Sequence, residues 1–309
     1  MSSHNGFMQD AKTEATIPEH LEHRVRTPDG RVLAVAEWGD PQGIPVIALH
    51  GTPGGRIIYW SDPTIYARHG LRRLTMDRPG YGESTRLPGR SVADLVADVV
   101  TITAELGIDG FAVTGGSGGG PHALALAALL PDRVPRCLAE VSIAPCDADG
   151  LDWLDGMTEG NVEEFTAAVA GEDAHRAVAE RERATTLRRL AEDRADFLGD
   201  SYKMSESDVL QSKRHLQRIR HQFENALAPG VDGWVDDMLA FVKPWGFEVS
   251  DIRVPVLVSY GRADTLVPAA HGDWLASHIP GAVAEVSDAG HLGADETVEA
   301  HMAWLAGTS

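Results

Sequence analysis

From residue 21 onward the spacing of apolar positions changes several times, and each change predicts an element. Residues 22–26 and 31–38 flank Pro28-Asp29-Gly30, a turn tripeptide, which predicts a β-hairpin. Residues 45–49 form an unbroken apolar run of the kind buried in parallel sheets, and residues 71–76 predict the next strand. Residues 92–106 carry Val92, Leu95, Val96, Val99 and Ile102 at helical spacing behind Ser91, a good N-cap type. The pattern continues as a strand at 111–114, a helix at 121–130, strands at 134–143 and 254–260, a helix at 269–279, a strand at 282–286 and a helix at 296–305. Strand–helix alternation with short connections predicts an α/β fold with a mainly parallel sheet covered on both faces.

One block breaks this alternation. Residues 146–249 contain no convincing strand, but they carry charged helical stretches marked by Val162/Phe165/Val169, Leu187/Leu190 and Val209/Leu216/Ile219/Phe223/Leu227. Ser205, three residues before Asp208, has the form of a capping box at the start of the third stretch. The expected organisation is a core of residues 21–145 and 250–309, with 146–249 inserted as a helical cap over the sheet's C-terminal edge. Residues 1–20 are polar, without an apolar stretch before a small-residue cleavage site, and are expected to be a disordered tail.

The chain has 309 residues, enough for one large α/β domain with an insertion. Its formal charge of −19 repels nucleic acid and anionic lipid, so neither is an expected partner. No apolar segment approaches the roughly 20 residues of a membrane span. The expected location is therefore cytoplasmic. Cys137 and Cys146 make no disulfide framework, and Cys137 falls in a strand pattern as a small core residue. No His/Cys/carboxylate cluster has metal-ligand spacing, so no metal or other cofactor is expected.

The richest chemistry lies at Gly115-Gly116-Ser117-Gly118-Gly119, between the strand at 111–114 and an Ala/Leu-rich helix. A strand entering a helix through so tight a turn strains its central residue, and small neighbours two positions either side avoid clashes. The turn lifts the Ser117 hydroxyl to a helix N-terminus, where free N–H groups favour negative charge. A phosphate-binding loop fits poorly, because no Lys-Ser/Thr follows the glycines and the strand lies deep in the chain.

A serine hydroxyl needs a base held by an oriented partner. Asp264 ends the loop after the strand at 254–260, and His291 follows the last strand within Asp288-Ala-Gly-His291. Both fall at strand C-termini, where open α/β sheets place their sites. The chain order Ser117, Asp264, His291 is that of a nucleophile-elbow hydrolase. Asp147 and Asp149, after the strand at 134–143, compete with Asp264 for the acid role. His122, one helical turn past Ser117, reads as packing. Thr52, in the turn His50-Gly51-Thr52-Pro53-Gly54-Gly55, and Gly118 are candidates to donate backbone N–H groups to an oxyanion. Pro53 has no N–H to give. Asp77 and Arg78, in Asp77-Arg78-Pro79-Gly80-Tyr81-Gly82-x-Ser84, read as braces for neighbouring turns.

Together these motifs, with Gly261-Arg-Ala-Asp264 and Gly290-His291, resemble the α/β-hydrolase superfamily over residues 21–145 and 250–306. The chain is most similar there to serine esterases and proline-iminopeptidase-like enzymes. The resemblance implies an eight-stranded sheet and Ser117/His291/Asp264 as nucleophile, base and acid. Ser117 departs from the epoxide hydrolases and haloalkane dehalogenases, which carry aspartate at the elbow. Proline iminopeptidases usually read His-Gly-Gly-Pro-Gly and Gly-Gly-Ser-Trp-Gly, where this chain has Thr52 and Gly118.

The leading expectation is hydrolysis of small-to-medium carboxylic esters through an acyl-serine. An aminopeptidase is the second, and it would need an anionic patch such as Glu163/Glu164 or Asp236/Asp237 for the substrate ammonium. C–C bond hydrolysis uses the same triad, and a hydrolase-fold receptor keeps it with little turnover. Trp153, Trp234, Met238, Phe241, Trp245 and Phe247 are candidate linings of the substrate pocket. The partner is a small-molecule ester or amide, and oligomeric state is open.

Overall fold

The computed structural model describes residues 17–59 and 64–308. The Pro28-Asp29-Gly30 turn closes as expected, with the Gly30 N–H bonded to the Thr27 carbonyl at 2.9 Å. It joins β1 (Leu21–Arg26) to β2 (Val32–Gly39). Thereafter come β3 (Ile44–Leu49), a short α1 (Thr64–Arg68), β4 (Leu71–Met76), α2 (Leu95–Glu105), β5 (Ala112–Gly116), α3 (Gly120–Leu129) and β6 (Cys137–Glu140). After the insertion follow β7 (Val256–Gly261), α8 (Ala269–His278), β8 (Val283–Ser287) and α9 (Val298–Ala306).

The eight strands form one sheet in the order β1-β2-β4-β3-β5-β6-β7-β8. Only β2 runs antiparallel to its neighbours, β1 and β4; the other pairings are parallel. The apolar runs are explained by two-sided burial. Ile47 and Val113 join the core on one face, while Val46 and Ala112, one residue earlier, pack on the other face with Met302 and Leu305 of α9. Strand β3 leads outward to β4 and β5 leads the opposite way to β6, so the β3/β5 boundary is the topological switch point.

Several boundaries move for identifiable reasons. Helix α2 starts at Leu95 rather than 92, because Asp94 Oδ2 accepts from both the Ser91 N–H (2.7 Å) and the Ser91 hydroxyl (2.9 Å). The strand expected over 134–143 shrinks to β6. The Val134 N–H instead bonds the Leu130 carbonyl at 3.0 Å, and Val141 takes a left-handed φ of +43° that ends the extended run. Cys137 is fully buried, as a small core residue.

The insertion holds four helices, α4 (Glu159–Ala170), α5 (Glu172–Ala191), α6 (Glu206–Ala226) and α7 (Asp232–Phe241). Ser205 caps α6 by accepting from the Asp208 N–H at 3.1 Å. Val169 lies off the buried side of α4 and is 74% exposed, so the stripe there rests on Phe165 and Ala168. Helix α7 seats directly on the loop after β4: the Gly233 N–H bonds the Gly80 carbonyl at 3.2 Å, and a Cβ on Gly233 would stand 2.5 Å from the Tyr81 ring. Of the expected tail, residues 1–16 lie outside the described residues. His20 is placed, stacked on Trp38 with ring centroids 4.4 Å apart. Among the described residues no helix is long and apolar enough to cross a membrane.

Candidate active site

Ser117 occupies the turn between β5 and α3 with a left-handed φ of +54°. A side chain on a left-handed residue costs about 1–2 kcal/mol, and such strain persists only where the surroundings enforce it. Here the glycines enforce it by close approach. A Cβ on Gly119 would collide with the carbonyl oxygens of Leu49 and His50, and one on Gly115 with the Gly119 carbonyl. The Gly-x-Ser-x-Gly spacing thus lets the elbow press against the end of β3.

Asp264 and His291 leave the ends of β7 and β8, and Asp264 Oδ2 lies 2.8 Å from His291 Nδ1. The other Asp264 oxygen accepts from the Leu266 and Val267 N–H groups, each at 2.9 Å, which locks the carboxylate. Asp147 and Asp149 are both exposed and meet no histidine, so the structure pairs His291 with Asp264. Burial disfavours a charged imidazole, but the Asp264 carboxylate outweighs it and Asp208 adds to the effect, so His291 titrates above its ordinary value.

Asp208, on the first turn of α6, is buried beside this histidine loop, and its Oδ1 accepts the Leu292 N–H at 2.6 Å. In the sequence it stood out only as a capping residue.

Thr52, Gly118, Ser117 and His291 line one cavity, which encloses about 640 Å³, part of it open to solvent. The cavity is bounded on the insertion side by Phe165, Leu198, Trp234, Met238 and Phe241. Of the expected lining, Trp153, Trp245 and Phe247 lie elsewhere. Trp153 donates to the Ala144 carbonyl at 2.8 Å and packs edge-on against Phe165, while Trp245 and Phe247 pack on each other. They are core of the insertion and its flank.

The candidate anionic pairs separate. Glu163 is exposed and paired with Arg181. Asp236 is held by Arg86 at 2.8 Å. Glu164 does line the cavity, accepting from Tyr202 Oη and from Trp234 Nε1 at 2.8 Å, and Glu182 of α5 stands in the same wall. Glu182 escaped the sequence reading because it sits in Glu180-Arg-Glu-Arg183, where charge falls on every helical face.

Asp237 is buried completely below the cavity. Arg78 and Arg90 contact it at 2.5 and 2.6 Å, Tyr81 Oη donates at 2.9 Å, and the Thr52 hydroxyl donates at 2.7 Å. Burial alone would raise its pKa, but the two guanidiniums outweigh that and hold it well below the usual carboxylate range. Arg78 also donates to the carbonyls of His50 and Gly51, so it braces the turn as expected. His50 accepts the Arg78 N–H on Nε2 at 3.2 Å, and burial keeps it neutral. His122 is packed likewise: its Nδ1 lies 3.1 Å from the Val92 carbonyl, and burial lowers its pKa to about 4.

A serine elbow and a His–Asp pair on the C-terminal edge of a mostly parallel eight-stranded sheet define a hydrolase architecture. The chain belongs to the alpha/beta hydrolase fold family, whose model matches residues 44–297. It is 31% identical over 252 residues to a pimeloyl-[acyl-carrier protein] methyl ester esterase of Aromatoleum aromaticum, covering 80% of this chain and 90% of that one. It is 27% identical over 285 residues to a proline iminopeptidase of Neisseria gonorrhoeae, covering 84% and 86%. The solved enol-lactonase of Burkholderia xenovorans LB400 superposes with a TM-score of 0.67 at 21% identity, covering 93% of this chain and 99% of that one.

Proposed function

We propose that this hydrolase cleaves carboxylic esters of small-to-medium acyl chains through an acyl-enzyme on Ser117. The observation that carries the reading is the 2.8 Å contact between Asp264 and His291 Nδ1, made at the rim of the cavity that holds the strained Ser117. With Nδ1–H given to Asp264, His291 Nε2 is left with a lone pair to take the serine proton. Ser117 Oγ attacks the ester carbonyl, and the Thr52 and Gly118 N–H groups receive the resulting oxyanion. The tetrahedral adduct collapses as His291 returns its proton to the departing alcohol. Water then attacks the acyl-serine, losing a proton to His291, and the acid leaves as Ser117 is restored. Asp264 orients the imidazole and supports its charged form. The apolar wall of Phe165, Trp234, Met238 and Phe241 suits an acyl chain.

One observation favours a second reading. Glu164 and Glu182 place two carboxylates in the cavity wall, which suits a substrate with a protonated amine, as in an aminopeptidase. The test is turnover of p-nitrophenyl acetate and butyrate beside prolyl-p-nitroanilide. Ester turnover in excess supports the esterase, and preference for the anilide replaces it with the peptidase.

A further inference from the structure

Thr52 sits in an irregular turn, half-buried, and its side chain faces inward. Its hydroxyl donates to Asp237 Oδ2 at 2.7 Å and accepts from an Arg78 N–H at 2.9 Å. A hydroxyl has one proton to give, so both partners are fixed. The same Arg78 guanidinium holds the His50 and Gly51 carbonyls, the two residues that precede Thr52. Asp237 in turn is supplied by α7 of the helical insertion, 185 residues away in sequence. We propose that Asp237 is a positioning residue for catalysis, acting through Thr52 and Arg78 to aim the Thr52 N–H at the reacting carbonyl. This rests on the reading of Thr52 as an oxyanion donor.

The physics requires an anchor of this kind. An oxyanion donor is effective only if it is already aimed before charge develops, because reorientation during reaction forfeits the gain. The turn that carries Thr52 has no regular secondary structure to hold it. A fully buried carboxylate bonded by two guanidiniums, a phenol and the threonine hydroxyl has no freedom to shift. The insertion therefore contributes to the hold on this turn as well as to the cavity wall.

The decisive variant is Thr52→Val, which keeps the shape and the backbone N–H and removes the bonds to Asp237 and Arg78. Loss of a whole donor lowers kcat about 10²–10³-fold, so a misaimed donor should lower it about 10- to 100-fold while KM stays within about twofold. Affinity for a trifluoromethyl ketone, whose adduct with Ser117 carries an oxyanion, should fall in parallel. Thr52→Ser keeps the hydroxyl and should restore both. Asp237→Asn should show the same split if it folds; because it leaves two guanidiniums poorly compensated, melting curves accompany it, and Thr52→Val alone decides if it does not. A folded Thr52→Val enzyme with wild-type kcat and ketone affinity overturns the proposal, as does an equal loss in Thr52→Ser. Failure of the catalytic reading itself appears differently, as a wild-type protein that neither turns over esters nor labels at Ser117 with a fluorophosphonate.

Discussion

Asp208 and Leu292 are joined by a 2.6 Å hydrogen bond from the Leu292 N–H to Asp208 Oδ1, which ties the first turn of helix α6 to the residue after His291. Because Asp208 is buried and negative, it both fixes the histidine loop and favours the charged imidazole.

The first prediction concerns pH. In the proposed mechanism catalysis needs neutral His291, whose pKa is raised, so kcat/KM should fall as pH drops through a midpoint above 6.5. Asp208→Asn removes a negative charge beside the imidazole and lowers that pKa, so the acid limb should move to lower pH while the plateau changes little. An acid limb that stays in place in the variant would remove Asp208 from the electrostatics of the site. Stability carries the opposite sign. The raised pKa contributes stability that is complete below the unfolded-state value and is lost as pH rises through the folded one.

Ser117→Ala should abolish ester turnover and fluorophosphonate labelling, with the fold intact. Ser117→Gly should also be inactive, yet more stable by about 1 kcal/mol, because glycine takes the +54° φ without a Cβ penalty. Denaturant melts of the three proteins measure this; a Gly variant no more stable than the Ala variant would mean that the elbow stores no strain.

His301 of α9 lies between Glu140 of β6 and Glu285 of β8, at 3.1 and 2.6 Å. Burial disfavours its charge, but the two carboxylates outweigh that and raise its pKa to about 9. Its contribution is complete below about 6.5 and disappears as pH rises through about 9, a change at most on the order of 3 kcal/mol. Urea titrations at pH 6 and pH 10 should show the loss in wild type and a smaller one in His301→Gln. Parallel losses in both proteins would assign the effect to other groups.

The proposed esterase reading sets an expectation for acyl length. We expect p-nitrophenyl ester rates to peak at about two to six carbons and decline beyond, since a cavity closed by helices accommodates less chain than an open groove. Rates that climb steadily to palmitoyl esters, with activation at a lipid interface, would recast the insertion as a mobile flap.

The site is unevenly legible in sequence. Ser117 announces itself through Gly115 and Gly119, where close backbone approach leaves no room for a β-carbon, and the sheet is legible because two-sided burial makes β3 and β5 largely apolar. Asp264 and His291 follow from their place at strand ends. The roles of Asp208, Asp237 and Glu182 are not legible, because only tertiary contact tells a buried carboxylate from a solvated one. Helix α7 carries Trp234, Val235, Met238 and Phe241 at helical spacing, but that spacing does not show that Asp236 and Asp237 between them are buried as well.

The contact between Gly80 and Gly233 has a consequence for engineering and descent alike. Their backbones approach so closely that neither tolerates a β-carbon, and the pair clamps α7 onto the loop after β4. The helical block is thus no interchangeable module. A chimera that grafts a foreign insertion between β6 and β7 should regain activity only when residues 50–56 and 77–84 are transplanted with it, so those three segments should be inherited as one unit.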